Sequence, residues 1–233
     1  MNIVITGASR GFGKAIAEQF AAHGYTLYLG ARNIKGLNEA ASSLRSHYPG
    51  STIHTKANDL GNRSGVEDFG QWINDSKIIV DILINNAGAY VPGSVHDEPN
   101  GSLEKMLDIN LYSAYHLTRK LLPAMMERKQ GHIFSICSIA SLQAYNNGGA
   151  YSISKFALLG FNRNLREEMK PYGIKVTSVI PGAAYTDSWI GSGVDPKRIM
   201  EASDIAKMIY AASQLSPQAC PEEIILRPQL GDL

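Results

Sequence analysis

Cysteine is nearly absent, with Cys137 and Cys220 the only two in the chain. Two thiols cannot build a disulfide framework or a four-cysteine zinc site. The six histidines include no H-E-x-x-H pair and no Cys/His knuckle, so no metal site is expected. Charge of one sign is missing too. With 22 Lys+Arg against 21 Asp+Glu the formal net charge is +1, which leaves no broad footprint for nucleic acid or an anionic membrane. No apolar run approaches the ~18–20 residues that cross a bilayer. The N-terminus, Met-Asn-Ile-Val-Ile-Thr-Gly, has no basic stretch leading into a long apolar one. The Asn-x-Ser triplets at Asn62, Asn74 and Asn100 are therefore read as chance. A soluble, cytoplasmic protein is expected, with neither nucleic acid nor membrane among its partners.

What is present is a regular alternation. Short runs rich in Val, Ile and Leu at residues 2–6, 26–31, 52–57, 80–85, 132–137, 175–180 and 223–227 read as strands covered on both faces. Helical patterns at 13–23, 35–47, 64–75, 102–128, 151–170 and 203–214 lie between them. Strand-helix alternation specifies a parallel sheet with right-handed crossovers and helices on both faces. The fold class expected is α/β, a Rossmann-type doubly wound sheet of about seven strands in a single domain, residues 1–233. Residues 182–200 lack periodicity, and a structureless stretch of that length inside a compact domain suggests function. The segment 182–202 is read as a substrate-binding loop.

The first strand runs into Thr6-Gly7-Ala8-Ser9-Arg10-Gly11-Phe12-Gly13 and then a helix. Strand, glycine turn and helix N-terminus make a phosphate site, because backbone N–H groups and the helix dipole face the anion. The spacing is G-x-x-x-G-x-G rather than G-x-G-x-x-G, since Ile16 stands three beyond Gly13. A P-loop is excluded by Ala8 and Ala15, which occupy its first glycine and its hydroxyl position. Taken alone, the turn is also compatible with a tight glycine bend that binds nothing. Further along, Tyr151 and Lys155 are four apart and share one helix face. Y-x-x-x-K by itself is usually a solvated helix surface. Beside a hydride donor the pair suits proton delivery, because an ammonium favours phenolate in a group whose reference pKa is ~10.

Thr6-Gly-x-x-x-Gly-x-Gly13, Asn85-Asn86-Ala87-Gly88, Tyr151-x-x-x-Lys155 and Pro181-Gly182 stand in an order and spacing that resemble the short-chain dehydrogenase/reductase family over essentially the whole chain. By overall look it is most similar to 3-oxoacyl carrier-protein reductases and other small carbonyl reductases. The resemblance implies that Gly7, Ser9, Arg10, Gly11, Phe12 and Gly13 hold a dinucleotide. It implies that Asp59 and Leu60 line the adenine pocket, and that Asn86, Ala87 and Gly88 pass beneath the cofactor. Asn85 is then structural. Pro181, Gly182 and Thr186 match the segment that holds the nicotinamide carboxamide.

Cofactor choice follows from charge. A carboxylate ending the second strand binds the ribose 2′-hydroxyl of NAD and repels a 2′-phosphate. Here that strand ends Leu29-Gly30-Ala31-Arg32 without one. Arg32 and Arg10 can both grip a phosphate, as in the family's NADP-preferring members, so NADP(H) is expected. The alternative is that both arginines are ordinary surface charges.

Ser138 precedes Tyr151 by 13 residues, the family's usual spacing, and closes the fifth strand, where ligands sit in open α/β sheets. Ser135 and Ser141 compete for its role. Asn110 matches the helix Asn that relays protons by water to the lysine. The resemblance thus implies carbonyl reduction: hydride from NADPH, a proton from Tyr151, orientation by Ser138, and Lys155 lowering the Tyr151 pKa while binding ribose hydroxyls. Tyr90, Tyr145, Tyr185 and Trp189 suit an apolar or ring-bearing carbonyl, though packing of their own loops is as good a reading. Lys197 and Arg198 would meet an acidic substrate or carrier, or else form a solvated turn. Cys137 reads as a small buried strand residue. A homodimer or homotetramer through the helices at 102–128 and 151–170 is expected from the resemblance. Oxidation of a sugar or steroid alcohol, and a non-catalytic NADP(H)-sensing role, are the alternatives.

Overall fold

In the computed structural model, which describes residues 1–189 and 191–232, side chains of β1 (Asn2–Thr6) alternate between two cores. Ile3 and Ile5 face one layer, with β2 (Thr26–Ala31) contributing Leu27 and Leu29. That layer is closed by α1 (Gly11–Ala21), α2 (Ile34–His47) and α7 (Ala202–Ser213), through Ile16, Phe20, Leu37 and Ile209. Val4 faces the other way, with Leu83 of β4 (Ile82–Asn85) and Ile133 of β5 (Gly131–Ile136). This second layer is closed by α3 (Arg63–Asp75), α5 (Ser113–Arg128) and α6 (Gly149–Met169), through Phe69, Leu117, Leu121 and Leu165. A two-residue side-chain period on a strand with helices on both faces demands apolar residues at every position, which is why these strands are continuous apolar runs. Each fully buried Phe or Ile contributes roughly 1.5–3 kcal/mol over its exposed form.

With β3 (Ile53–Ala57), β6 (Ile174–Pro181) and β9 (Glu223–Leu226), the main sheet has seven strands in the order β3-β2-β1-β4-β5-β6-β9. All of its pairings are parallel. This is a Rossmann-type α/β fold. From β1 the chain winds outward to β2 and β3, then returns to place β4 on the other side of β1. The crevice at the C-terminal ends of β1 and β4 is the switch point where such sheets bind ligands.

Three expectations are corrected. The outer strands β3 and β9 are not covered on both faces: at the two edges of the sheet, past the helix layers, His54 and Ile225 are exposed. The helix expected over 102–128 is not uniform. It comprises α4 (Ser102–Leu107), a π-helical turn at Asp108–Tyr112, and α5. Segment 182–200 is not structureless either: β7 (Ala184–Tyr185) pairs parallel with β8 (Met200–Glu201), and short 3₁₀ turns span Asp187–Trp189 and Pro196–Arg198. Ile190 of the expected substrate-binding segment and Leu233 of the expected domain lie outside the described residues.

Candidate active site

The turn after β1 is built by close approach. Gly7 and Gly11 sit at φ of +66° and +54°, a left-handed conformation that favours glycine. A Cβ on Gly13 would lie 2.6 Å from Asn86 Nδ2 and collide with the carbonyl oxygen of Gly7. Asn86 Nδ2 donates to the carbonyls of Thr6 (2.8 Å) and Gly7 (3.1 Å), while Thr6 Oγ1 accepts from the N–H of Asn86 and Ala87, both at 2.9 Å. Asn86 therefore braces the turn from below, and its side chain is engaged there. Asn85 Nδ2 donates to Thr118 Oγ1 at 2.9 Å, a structural role. Arg10, at the N-cap position of α1, makes no capping side-chain bond, and a helix start of this kind can receive an anion.

Of the expected cofactor contacts outside the turn, the end of β2 and Thr186 are tied to it by close approach. The Ala8 N–H donates to Gly30 O at 3.1 Å, and a Cβ on Gly36 would stand 3.7 Å from Ser9 Cβ, so the Arg32 end of β2 borders the turn. Arg32 is exposed and pairs with no carboxylate among the described residues. Arg10 is exposed and lies 4.0 Å from Asp187. Thr186 reaches the same rim: its Cγ2 would be 3.5 Å from a Cβ on Gly11. Phe12 is half-buried, packed against the first core. Pro181 closes β6, and the Gly182 N–H donates to Leu226 O at 2.8 Å. Asp59 Oδ1 accepts from the Gly61 N–H at 3.0 Å. Leu60 is buried with Val66 and Phe69, so its side chain belongs to the second core.

Beside the crevice, α6 presents Tyr151 and Lys155. Lys155 is buried and donates to Ile136 O at 2.8 Å. One of its three N–H donors is thus used within the chain. Its ammonium lies 5.8 Å from the centre of the Tyr151 ring. Gly88 permits this packing, since a Cβ there would stand 3.0 Å from Asn110 Oδ1 and 3.7 Å from Lys155 Nζ. Burial brings the Lys155 ammonium down to about 8. Burial also raises the Tyr151 phenol above its ordinary value, and a hydrogen bond with Ser138 pulls it back down. In the chain by itself burial dominates both groups: desolvation weakens the charge of the one and raises the other.

Ser138 does not close β5, which ends at Ile136. It caps a short 3₁₀ turn, Ile139–Ser141, its Oγ accepting from Ala140 N–H at 3.2 Å. Its rivals are engaged elsewhere. Ser135 Oγ donates to Asn162 Oδ1 at 2.8 Å in the sheet, and the buried Ser141 Oγ accepts from the Ser138 N–H at 3.2 Å. Asn110 lies in the π-helical turn. Its Oδ1 accepts from the Ala89 N–H (2.8 Å), and its Nδ2 donates to Ala89 O (3.0 Å) and Ser154 Oγ (2.9 Å). Cys137 is buried with its thiol pushed up to about 11 by desolvation, a packing residue and no nucleophile.

On the open side, Tyr90 stands edge-on to Tyr151 with ring centroids 4.9 Å apart and planes at 84°. Burial pushes the Tyr145 phenol up, and the neighbouring Tyr90 and Tyr151 add to the rise. Next to Tyr145 is an apolar hollow of about 350 Å³ that also takes in Val95, Ile153 and Phe156. Tyr185 and Trp189 are half-buried in the β7 segment. Arg198 is not available to an acidic ligand, because its guanidinium donates to the carbonyls of Leu230, Gly231 and Asp232 at 3.2, 2.9 and 3.3 Å. Two residues absent from the expectations also shape the site. Ser154, whose Oγ donates to Tyr151 O at 2.7 Å, links Asn110 to the helix; it was visible as the neighbour of Lys155. Glu98 bonds Ala150 N–H at 3.1 Å from a distant loop, with no local signal.

The family model for short chain dehydrogenases matches residues 1–194. Sepiapterin reductase of Chlorobaculum tepidum is 30% identical, over 99% of this chain and 97% of that protein. Among solved structures, an alcohol dehydrogenase from the archaeon Thermococcus sibiricus, complexed with 5-hydroxy-NADP, superposes with a TM-score of 0.89 at 26% identity, covering 98% of this chain and 96% of the other. L-sorbose reductase from Gluconobacter frateurii, complexed with NADPH and L-sorbose, gives 0.89 at 27% identity, covering 97% and 94%. With the glycine turn, the Tyr151–Lys155 face and the sheet order all in place, the chain belongs to the short chain dehydrogenase family.

Proposed function

We propose that the protein is an NADPH-dependent reductase of a carbonyl carried by an apolar or ring-bearing small molecule. The observation that carries this reading is Tyr151, set on one helix face with the buried Lys155, near enough to Ser138 for its hydroxyl to lower the phenol, and facing Tyr90 of the loop after β4. The glycine turn at residues 7–13 would hold the pyrophosphate, with Asp59 and the backbone of Leu60 at the adenine. Asn86, Ala87 and Gly88 would lie beneath the dinucleotide, and Pro181, Gly182 and Thr186 at the carboxamide. The start of α1, where Arg10 makes no capping side-chain bond, and a turn bent back by left-handed glycines at Gly7 and Gly11 both fit such a ligand. Arg10 and Arg32 would take the 2′-phosphate, a reading supported by the two NADP-type complexes among the relatives. When bound, NADPH supplies the hydride.

The chain's own residues do the rest. Tyr151 is held neutral by burial, so its proton is in place at physiological pH for the developing alkoxide. Ser138 donates to the same oxygen and fixes its position. Lys155, with two N–H donors that have no partner among the described residues, would bind the nicotinamide ribose and place its charge beneath the phenol. Asn110 holds the Ala89 backbone beside the Gly88–Lys155 packing, where a water-borne proton relay to Lys155 would run. Segment 182–202, Tyr90 and Tyr145 would form the substrate side. A carrier-protein thioester fits less well than a small carbonyl, because Arg198 is occupied by the C-terminal carbonyls. The half-exposed Ile153 and Phe156 of α6 suit a homo-oligomer contact.

The test is NADPH consumption across diketones, oxoacyl thioesters, sugars, pteridines and steroids, with the Tyr151→Phe variant alongside. Removing a general acid is expected to slow turnover by about 10²–10⁴-fold, with NADPH affinity nearly intact. Wild-type turnover by that variant would overturn the assignment. Activity confined to alcohols with NADP⁺ would reverse the direction.

A further inference from the structure

Helix α6 carries the proton donor two residues from its start, yet it has no cap of its own. The residue at its N-cap position, Gly148, has no side chain, and the first turn holds no acidic residue. The missing acceptor comes from 52 residues away. Glu98 Oε2 accepts from the Ala150 N–H at 3.1 Å, in a geometry sealed by two glycines. Gly149 sits at φ +25°, and a Cβ on it would lie 2.7 Å from Glu98 Oε2 and collide with Gly93 O; one on Gly93 would lie 2.9 Å from Glu98 Cβ. Two more bonds tie the same segments: Gly93 N–H to Asn147 O at 3.1 Å, and Ser94 Oγ to Asn147 Oδ1 at 2.7 Å. The loop anchored by this clamp is the one that brings Tyr90 edge-on to Tyr151.

We propose that Glu98 is a positioning residue for the proton donor: from the loop after β4 it caps α6 and locks Tyr151 and Tyr90 into one constellation. The carboxylate does not reach the reacting atoms. It satisfies an orphan N–H and complements the helix dipole in the turn that holds the phenol in place. The catalytic part of the proposal rests on Tyr151 being the acid; the clamp itself does not.

The experiment compares Glu98→Ala and Glu98→Gln in the full-length protein. Amide hydrogen exchange over residues 145–156 needs no substrate, and in the alanine variant it should accelerate about fivefold or more. With the panel carbonyl turned over fastest, kcat should fall about tenfold or more, because small displacements of a positioned acid are costly. KM for NADPH should stay within about twofold, since the glycine turn is untouched. Glu98→Gln keeps an acceptor oxygen and should recover most of both losses. Unchanged exchange and kcat in Glu98→Ala, or a glutamine variant as impaired as the alanine one, would overturn the proposal. If Tyr151→Phe retained turnover while Glu98→Ala still loosened the helix, the reading of Tyr151 would fail and the clamp would stand.

Discussion

The Lys155 ammonium donates to the carbonyl oxygen of Ile136, the last residue of β5, at 2.8 Å. That bond fixes the charge between the sheet and the Tyr151 ring, in surroundings dry enough to bring Lys155 down to about 8. A base lowered by burial gives up its proton as the pH rises through that value. Tyr151 is raised and keeps its proton over the same range. The rate of reduction, as kcat/KM, is therefore expected to hold from pH 6 to 7.5 and to fall on an alkaline limb with an apparent pKa near 8. In Lys155→Arg the residual activity should lose that limb, since a guanidinium stays charged. A flat wild-type profile to pH 10 would remove Lys155 from the mechanism.

Arg32 is unpaired by any carboxylate among the described residues, whereas Arg10 has Asp187 at 4.0 Å. Losing the charge-assisted bonds of one arginine is expected to cost about 1.5–3 kcal/mol, roughly 10–100-fold in NADPH affinity. Fluorescence titration of Arg32→Ala should show that loss for NADPH and nearly none for NADH. Asp187→Asn should tighten NADPH by about twofold, and only at low salt, because the pair is exposed. Equal losses for both cofactors in Arg32→Ala would mean that the arginine supports the loop and reads no phosphate.

How much of this was legible in the sequence depends on the range of the interaction. A parallel sheet covered by helices must be apolar at every strand position, so β1, β2 and β4 stand out as uninterrupted runs. Edge strands escape that constraint, and His54 and Ile225 could not be recognised as exposed without knowing the strand order. Tyr151 and Lys155 were readable because one helical turn separates them. The π-helical turn around Asn110 was not, because its residue types are those of an ordinary helix. What distinguishes it is a pair of bonds to Ala89, 21 positions back. Arg198 shows the same limit: its partners lie 32 to 34 residues downstream, and from the chain alone it was simply a charge on a turn.

His132 is buried in β5, stacked on Phe134 with centroids 3.8 Å apart and bonded to Thr177 Oγ1 at 2.8 Å. Desolvation, helped by Lys175, lowers it from 6.5 to about 3. An unfolded chain binds a proton at ~6.5 that the folded chain refuses. Stability is thus complete above pH 6.5 and lost as the pH falls toward 3, at about 1.4 kcal/mol per unit. His116 is lowered by partial burial and works in the same direction. Urea midpoints at pH 7.5, 6 and 5 should drop in the wild type and drop less in His132→Gln. Identical pH slopes for the two proteins would exclude His132 as a source of acid sensitivity.

Asn110 offers the sharpest separation of structure from chemistry. Its side chain satisfies both backbone groups of Ala89 and the buried Ser154 hydroxyl, whose Oγ in turn bonds Tyr151 O. Truncation removes the partner of both Ala89 backbone groups and one of the two bonds of Ser154 Oγ, so Asn110→Ala is expected to lose about 1–3 kcal/mol of stability. It should also lose turnover, because the Gly88–Ala89 backbone and the Ser154 tie to the Tyr151 carbonyl slacken together. Asn110→Asp keeps the acceptor for Ala89 N–H but turns an oxygen toward Ala89 O. It should therefore be as unstable as the alanine variant or more so, which separates hydrogen-bond pattern from side-chain volume. Urea unfolding and NADPH turnover on the same preparations decide the matter. A wild-type midpoint in Asn110→Ala would show that water can take over all three bonds.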